Sequence, residues 1–150
     1  MMETIEKYCK LFANLNAKIT NGIKQPNKAI MLLCVMELVR CGYIKDNIIP
    51  IEDTIKFAFV DVWRKYFPNT PPSPWTPFWH LKNESFWHFK PKYSKEDIDS
   101  LVSPEETASV GKMQTVISYA YLDHELFSLL RIKSCREVLI ARLIESYIIL

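Results

Sequence analysis

His80 and His88 are the side chains of this sequence best suited to acid–base chemistry or metal binding. If residues 78–81 and 86–89 pair as strands around a turn at 83–84, the two imidazoles point to opposite faces, which argues against a shared metal ion. The four cysteines show no Cys-x-x-Cys spacing, so we predict reduced thiols and no zinc site. Three glycines are too few for a Gly-rich phosphate loop. We therefore interpret the chain as non-catalytic, with no cofactor and no metal.

A cluster of lysines near the first quarter of the chain suits an anionic ligand. Lys18, Lys24 and Lys28 fall in a long stretch that contains no acidic residue. Asn27 follows a proline and is an acceptable N-cap, which predicts a helix that starts beside these lysines. A helix N-terminus together with lysine is a ready phosphate site. The pattern favours a polyanion such as DNA as the ligand.

The element expected to position the aromatic residues and both histidines is the segment 74–90. We predict an aromatic β-hairpin here, with strands at 78–81 and 86–89 bracketed by Pro77 and Pro91. Side chains alternate between the faces of a strand, so aromatic residues occupy both faces. One face can close the core, and the other is left for a ligand or a partner.

The rest of the chain is predicted to be mainly helical. Apolar residues at helical spacing and capping residues predict the following helices: 2–15, 28–40, 52–66, and three that start at Ser94, Ser103 and Ser134. Residues 18–25 are interpreted as a polar, basic loop, and 48–51 as a short edge strand. The predicted fold is mostly α with a small antiparallel β-hairpin or sheet, and its element order also matches a winged-helix-like core.

Length and composition are those of one globular domain. The chain has 150 residues, 49% of them hydrophobic, and a net charge of +2. No apolar run reaches the length needed to span a bilayer, and the acidic N-terminus lacks the features of a signal peptide. We therefore predict a cytoplasmic protein with no membrane partner.

Several short motifs resemble the sulfur-binding domain that lies N-terminal to HNH nucleases in restriction enzymes directed at phosphorothioate-modified DNA. The similarity covers roughly residues 20–150. The matching segments are Pro26-Asn27-Lys28-Ala29-Ile30-Met31-Leu32-Leu33, Gly42-Tyr43-Ile44, Ile49-Pro50, Trp63 with Tyr66, Thr76-Pro77-Phe78-Trp79-His80-Leu81, Phe86-Trp87, Leu122-Asp123-His124-Glu125-Leu126-Phe127, Arg136-Glu137, Leu139 and Tyr147. No His-Asn-His nuclease signature is present in this chain.

The resemblance implies two sets of DNA contacts. In the family, a basic pair before a proline opens the leucine-rich helix and holds the DNA backbone; Lys28 matches a basic residue, and Asn27 stands where histidine is usual. A Tyr-Pro pair helps to form an apolar cavity for sulfur; Pro77 matches its proline and Thr76 stands for the tyrosine. His80 occupies a position that is small in the family.

A further basic contact of the family corresponds to Lys112, and Lys24 belongs to the basic loop that precedes the helix. In place of the family's proline after the basic pair, this chain has Ala29. The resemblance and the basic loop together predict that the DNA-binding residues are Asn27, Lys28, Thr76, Pro77, His80, Lys24 and Lys112.

Two functions are preferred from the sequence, ahead of a hydrolase built on His80 or His88. The first is a non-catalytic specificity module for phosphorothioated duplex DNA in bacterial-type restriction–modification defence, acting with a nuclease domain or a nuclease partner chain. The second is a protein–protein interaction module that docks its partner through the exposed aromatic hairpin.

Overall fold

A computed structural model describes residues 2–148 and shows a mainly helical protein with two small antiparallel two-stranded sheets. Of its structure 56% is helical, which confirms the predicted fold class. The helices are α1 (Met2–Ala13), α2 (Asn27–Arg40), α3 (Asp53–Tyr66), α4 (Trp75–His80), α5 (Lys95–Asp99), α6 (Val110–Val116), α7 (His124–Leu130) and α8 (Lys133–Tyr147). The strands are β1 (Ile19–Thr20), β2 (Ile23–Lys24), β3 (Trp87–Pro91) and β4 (Ile117–Leu122).

Helix α2 lies at the centre of the fold, as its nearly continuous apolar sequence predicts. Every residue from 28 to 36 is buried, and the helix packs against α3, α4 and α8. Its start differs from the prediction in one detail. Asn27 is the first helical residue rather than the N-cap, and Pro26 takes the cap position without a side-chain hydrogen bond.

The predicted aromatic hairpin is wrong. Residues 75–80 form α4, residues 81–83 continue as a 3-10 turn, and only the second predicted strand exists, as β3. Two features explain the helix: prolines are well tolerated in the first turn, and Trp75, Phe78 and Trp79 follow a spacing of three and four. Strand β3 instead pairs with β4, whose residues lie far away in the sequence, so no local turn chemistry marks this sheet.

The aromatic residues of segment 74–90 close the core instead of leaving a free face. Phe78, Trp79, Phe86 and Trp87 are at most 3% exposed. Phe78 packs edge-on against Trp87, with ring centroids 5.3 Å apart. The exposed aromatic face on which the protein-interaction hypothesis depended is therefore absent from the described structure.

A hairpin does form where the sequence was interpreted as a loop. Strands β1 and β2 pair with Ile19 opposite Lys24 and Thr20 opposite Ile23. The two residues between them, Asn21 and Gly22, have φ values of 54° and 76°. Two consecutive positive φ values match the type I′ turn that favours Asn-Gly in two-residue hairpins.

The remaining boundaries are partly as predicted. Ser94 caps α5 by accepting from the Glu96 N–H, whereas Ser103 starts no helix and α6 begins at Val110. The predicted edge strand is a single bridge between Ile49 and Ala120. Helix α8 starts at Lys133, one residue before the predicted cap. With α4 in place of the hairpin, the winged-helix order is not reproduced. Among the described residues, no helix is both long enough and apolar enough to span a membrane.

Candidate anion-binding cleft

One cleft brings together five of the seven predicted DNA-binding residues. It has a volume of about 760 Å³ and lies between the β1–β2 hairpin, the start of α2, and α4 with its following 3-10 turn. Its lining residues are Asn16, Ala17, Lys18, Thr20, Gln25, Asn27, Lys28, Thr76, Pro77, His80, Asn83 and Glu105. Two segments about fifty residues apart in sequence thus meet at one surface.

Lys28 is held in the wall of this cleft by protein acceptors. The residue is 8% exposed, and its Nζ donates to Glu84 Oε2 at 2.7 Å and to the Asn16 carbonyl oxygen at 2.6 Å. The Asn16 N–H donates to the same Glu84 oxygen at 3.0 Å. Because an ammonium group has three donors, one N–H of Lys28 is not used by these two bonds. The positive charge of Lys28 is therefore largely compensated by Glu84.

The start of α2 is a second cationic element of the cleft. None of the described side chains caps it, and its first turn holds no acidic residue. The first N–H groups of a helix lack partners within the helix, and the aligned peptide dipoles leave partial positive charge at this end. Asn27 and Lys28 place this helix start at the cleft, and the exposed Lys18 lies on its rim. This arrangement favours an anion.

His80 contributes a neutral, hydrogen-bonding ring to the wall formed by α4. Its Nε2 lies 2.8 Å from Thr107 Oγ1. Burial and, to a smaller extent, the charges of Lys28 and Lys82 lower the pKa of His80 below its ordinary value of 6.5. The imidazole is therefore uncharged at neutral pH.

Pro77 and Thr76 lie in the first turn of α4, next to His80. Pro77 is buried, and Thr76 is exposed with its Oγ1 3.1 Å from Ser73 Oγ. The pyrrolidine ring of Pro77 gives the cleft an apolar surface opposite the start of α2. The family resemblance had placed these two residues at the start of a hairpin strand; they open a helix instead.

Lys24 and Lys112 do not line the cleft. Lys24 lies on β2, and its Nζ is 5.8 Å from the centre of the Tyr147 ring. Lys112 is exposed in the first turn of α6, where its backbone N–H donates to Ser109 Oγ at 3.2 Å. Both remain surface cations outside this site.

Part of the cleft was not predicted from the sequence. Asn16, Thr20, Gln25 and the acidic Glu105 were not predicted as site residues, and all four line it. The Asn21-Gly22 pair was the available signal, since Asn-Gly is the strongest short-range indication of a two-residue hairpin. No comparable signal exists for Glu84, which is brought to Lys28 by the 3-10 turn after α4.

A second polar cluster lies away from this cleft. Asp123 accepts hydrogen bonds from Tyr8 Oη at 2.7 Å and from His88 Nε2 at 2.7 Å, which ties α1 to β3. Burial and the Asp123 carboxylate raise the pKa of Tyr8. Among the residues that the structure describes, no group of three or more His, Cys, Asp or Glu side chains could hold a metal ion.

The cysteines are free thiols, of which Cys9, Cys34 and Cys135 are buried. Burial raises the pKa of Cys34 to about 12, with a smaller contribution from Asp61. A thiol with so high a pKa is a poor nucleophile at neutral pH. Cys9, Cys34 and Cys135 belong to the buried hydrophobic core.

No protein-family model matches this sequence, and no curated protein is significantly similar to it.

Proposed function

We propose that this chain is a DNA-binding module that holds a segment of the DNA backbone in the cleft between the β1–β2 hairpin and α4. The observation that carries the proposal is the uncapped start of α2, which opens into a cleft with Lys18 on its rim. Backbone N–H groups at a helix start and nearby lysines are common partners of phosphate oxygens in protein–DNA complexes.

The contacts of Lys28 change its expected role within this proposal. Glu84 and Asn16 already accept from its ammonium group. Lys28 therefore shapes the cleft and offers one remaining N–H, while Lys18 and the α2 start attract the anion. A charge that is paired in the free protein adds little to long-range attraction, so Lys18 is the better site at which to test binding.

Preference for a phosphorothioate is the finer part of the proposal, and it is supported by the resemblance to the sulfur-binding domain together with the lining of the cleft. A sulfur-substituted phosphate keeps its negative charge but has a softer, less hydrated atom. An apolar surface accepts such an atom more readily than an oxygen that needs hydrogen bonds. Pro77 supplies that surface, with the methyl group of Thr76 and the uncharged ring of His80 beside it.

Cleavage is not assigned to these residues. In the proposed arrangement this chain supplies recognition, and a nuclease domain or a nuclease partner chain would supply hydrolysis. The protein-interaction alternative has no comparable support, because the aromatic residues that it required are buried.

The proposal is tested by fluorescence anisotropy with short duplexes that differ only in one central phosphorothioate linkage. We expect binding to either duplex to weaken steeply between about 50 mM and about 200 mM salt. The phosphorothioate duplex should bind more tightly. Equal affinities would remove the sulfur preference, and no binding to either duplex at low salt would overturn DNA binding altogether.

Lys18→Ala is the variant that tests the cleft, with Lys45→Ala as the matched control. Both lysines are exposed, but Lys45 does not line the cleft. Loss of one phosphate contact should reduce the slope of log affinity against log salt by about 1, uniformly across DNA sequences. Lys45→Ala should leave the slope unchanged; an equal effect of the two variants would move the binding surface away from this cleft.

A further inference from the structure

The β1–β2 hairpin has a feature that holding a phosphate backbone does not require. Two of its four strand residues are isoleucines, and both are exposed: Ile19 by 62% and Ile23 by 48%. The hairpin carries Lys18 before it and Lys24 at its end, and residues 7–36 contain no acidic residue, while Glu105 lines the adjoining cleft from a distant segment. An exposed apolar pair in a cationic setting indicates a surface that meets an anionic partner with some apolar surface of its own.

The pairing register determines which residues face the cleft. Thr20 lies opposite Ile23, and Gln25 N–H donates to the Lys18 carbonyl oxygen at 2.8 Å. Directly opposed residues share a face, and so do residues two apart in one strand. Lys18, Thr20, Ile23 and Gln25 therefore form one face, and three of these four residues line the cleft. Ile19 and Lys24 form the other face.

The tip of the hairpin carries an exposed asparagine. Asn21 and Gly22 both have positive φ, as a type I′ turn requires, and both are exposed. Asn21 follows Thr20 directly in the chain, and Thr20 lies opposite Ile23 on the cleft face. An amide, a hydroxyl group and one branched apolar side chain thus lie within residues 20–23 of a narrow two-stranded element, while Ile19 lies on its opposite face.

The chemistry of this tip matches one groove of duplex DNA. The major groove is wide enough to admit a two-stranded β-ribbon, whereas the minor groove is about half as wide. In the major groove, an Asn amide can pair with N6 and N7 of adenine, and apolar side chains contact the C5 methyl group of thymine. Both features belong to A·T base pairs.

We propose that the β1–β2 hairpin enters the major groove and reads A·T base pairs with Asn21 and Ile23, while the adjoining cleft holds the backbone. This inference rests on the proposed DNA binding and adds base recognition to it. The two are separable, because backbone contacts do not depend on sequence and base contacts do.

The test uses anisotropy with three short duplexes of identical backbone chemistry: alternating A·T, the same duplex with deoxyuridine in place of thymidine, and alternating G·C. All three duplexes carry the same backbone, either plain or with one central phosphorothioate. The choice between the two is the backbone that the wild-type protein binds more tightly. We expect the alternating A·T duplex to bind with about tenfold higher affinity than the G·C duplex. Removing the thymine methyl group should lower the affinity by about threefold.

Variants then assign these effects to residues. Ile23→Ser should abolish the difference between thymidine and deoxyuridine, whereas Ile19→Ser, which changes an exposed isoleucine on the opposite face, should retain it. Asn21→Gly removes the amide but tolerates the positive φ, so the turn is preserved. It should reduce the A·T preference while the salt dependence of binding stays as in the wild type.

Three results would overturn base reading. The first is equal affinity for the A·T and G·C duplexes. The second is an affinity difference between thymidine and deoxyuridine duplexes that persists in Ile23→Ser. The third is a loss of that difference in Ile19→Ser as well. In each of these cases salt-dependent binding would remain and the proposed backbone site would stand. Absence of binding to all three duplexes would overturn both proposals together.

Discussion

The two small sheets of this protein are opposite in almost every respect. Strands β1 and β2 are adjacent in sequence, joined by a two-residue turn, and their four residues are exposed or partly exposed. Strands β3 and β4 are separated by α5 and α6, and their pairing buries Trp87, Ile117, Ala120 and Leu122. The first sheet is specified locally and contributes little to the core. The second depends on long-range packing and closes the core.

This difference separates residues that stabilise the fold from residues that are free to contact a partner. Residues that fill a core cannot also meet a partner, whereas an exposed hairpin adds almost no hydrophobic stabilisation and is free to do so. The aromatic segment that dominates the sequence belongs to the first group. The short Asn-Gly hairpin beside the cleft belongs to the second.

Disrupting the buried sheet should have the largest effect. Trp87→Ala removes a side chain that is 1% exposed on β3, and we expect it to lower the free energy of unfolding by about 4 kcal/mol. Ile23→Ser in the exposed sheet should change it by less than about 0.5 kcal/mol. Urea denaturation followed by tryptophan fluorescence and circular dichroism measures both. Comparable losses in the two variants would contradict the division between the sheets.

Breaking the buried Lys28–Glu84 ion pair should have the next largest effect on stability. Glu84→Ala leaves the buried ammonium group of Lys28 with the Asn16 carbonyl as its remaining acceptor, and we expect a loss of about 3 kcal/mol of unfolding free energy. The control is Glu137→Ala, because the Lys133–Glu137 pair is exposed and its atoms are 4.0 Å apart. That variant should change stability by less than about 0.5 kcal/mol. A small effect of Glu84→Ala would show that Lys28 is solvated rather than anchored.

The turn of the hairpin should respond to substitution locally. Gly22 has a φ of 76°, so Gly22→Ala is strained even though a Cβ would meet no neighbour within 4 Å. We expect a cost of about 1 kcal/mol to the hairpin, seen as faster hydrogen exchange of the Gln25 N–H, with the global unfolding transition unchanged. Gly42→Ala, with a φ of 83° just after the central helix α2, should lower global stability instead. A global loss in Gly22→Ala would contradict the independence of the exposed sheet.

The pH dependence from His80 should be the smallest effect. Its lowered pKa means that the unfolded chain binds a proton more readily than the folded protein does. Stability should therefore fall as the pH drops below the ordinary histidine value of about 6.5, and this contribution should be fully present above it. Thermal unfolding of the wild type and His80→Gln at about pH 7.5 and about pH 5.5 measures the difference. If the melting temperature of the wild type rises on acidification relative to that of His80→Gln, the predicted direction of the His80 pH dependence is wrong.

The helical part of the fold was largely predictable. Helices α1, α2 and α3 follow from apolar spacing, and α5 follows from the Ser94 cap, because these signals act over a single helical turn. Segment 74–90 was misassigned because a short apolar run fits a strand and a buried helix equally well. Its prolines suit the first turn of α4 as well as they suit the end of a strand.

The candidate site was predictable only in part, because some of its features depend on neighbouring residues and others on distant contacts. By its own pattern the sequence determined the central helix, the lysine-rich stretch beside its start, and a hairpin signal at Asn21-Gly22, since each depends on neighbouring residues. Tertiary packing determined that β3 pairs with β4, that α4 lies against α2, and that Glu84 reaches Lys28. Those contacts join residues dozens of positions apart. Their free energy comes from burying apolar surface, and a local sequence pattern does not show which distant surfaces will be buried against each other.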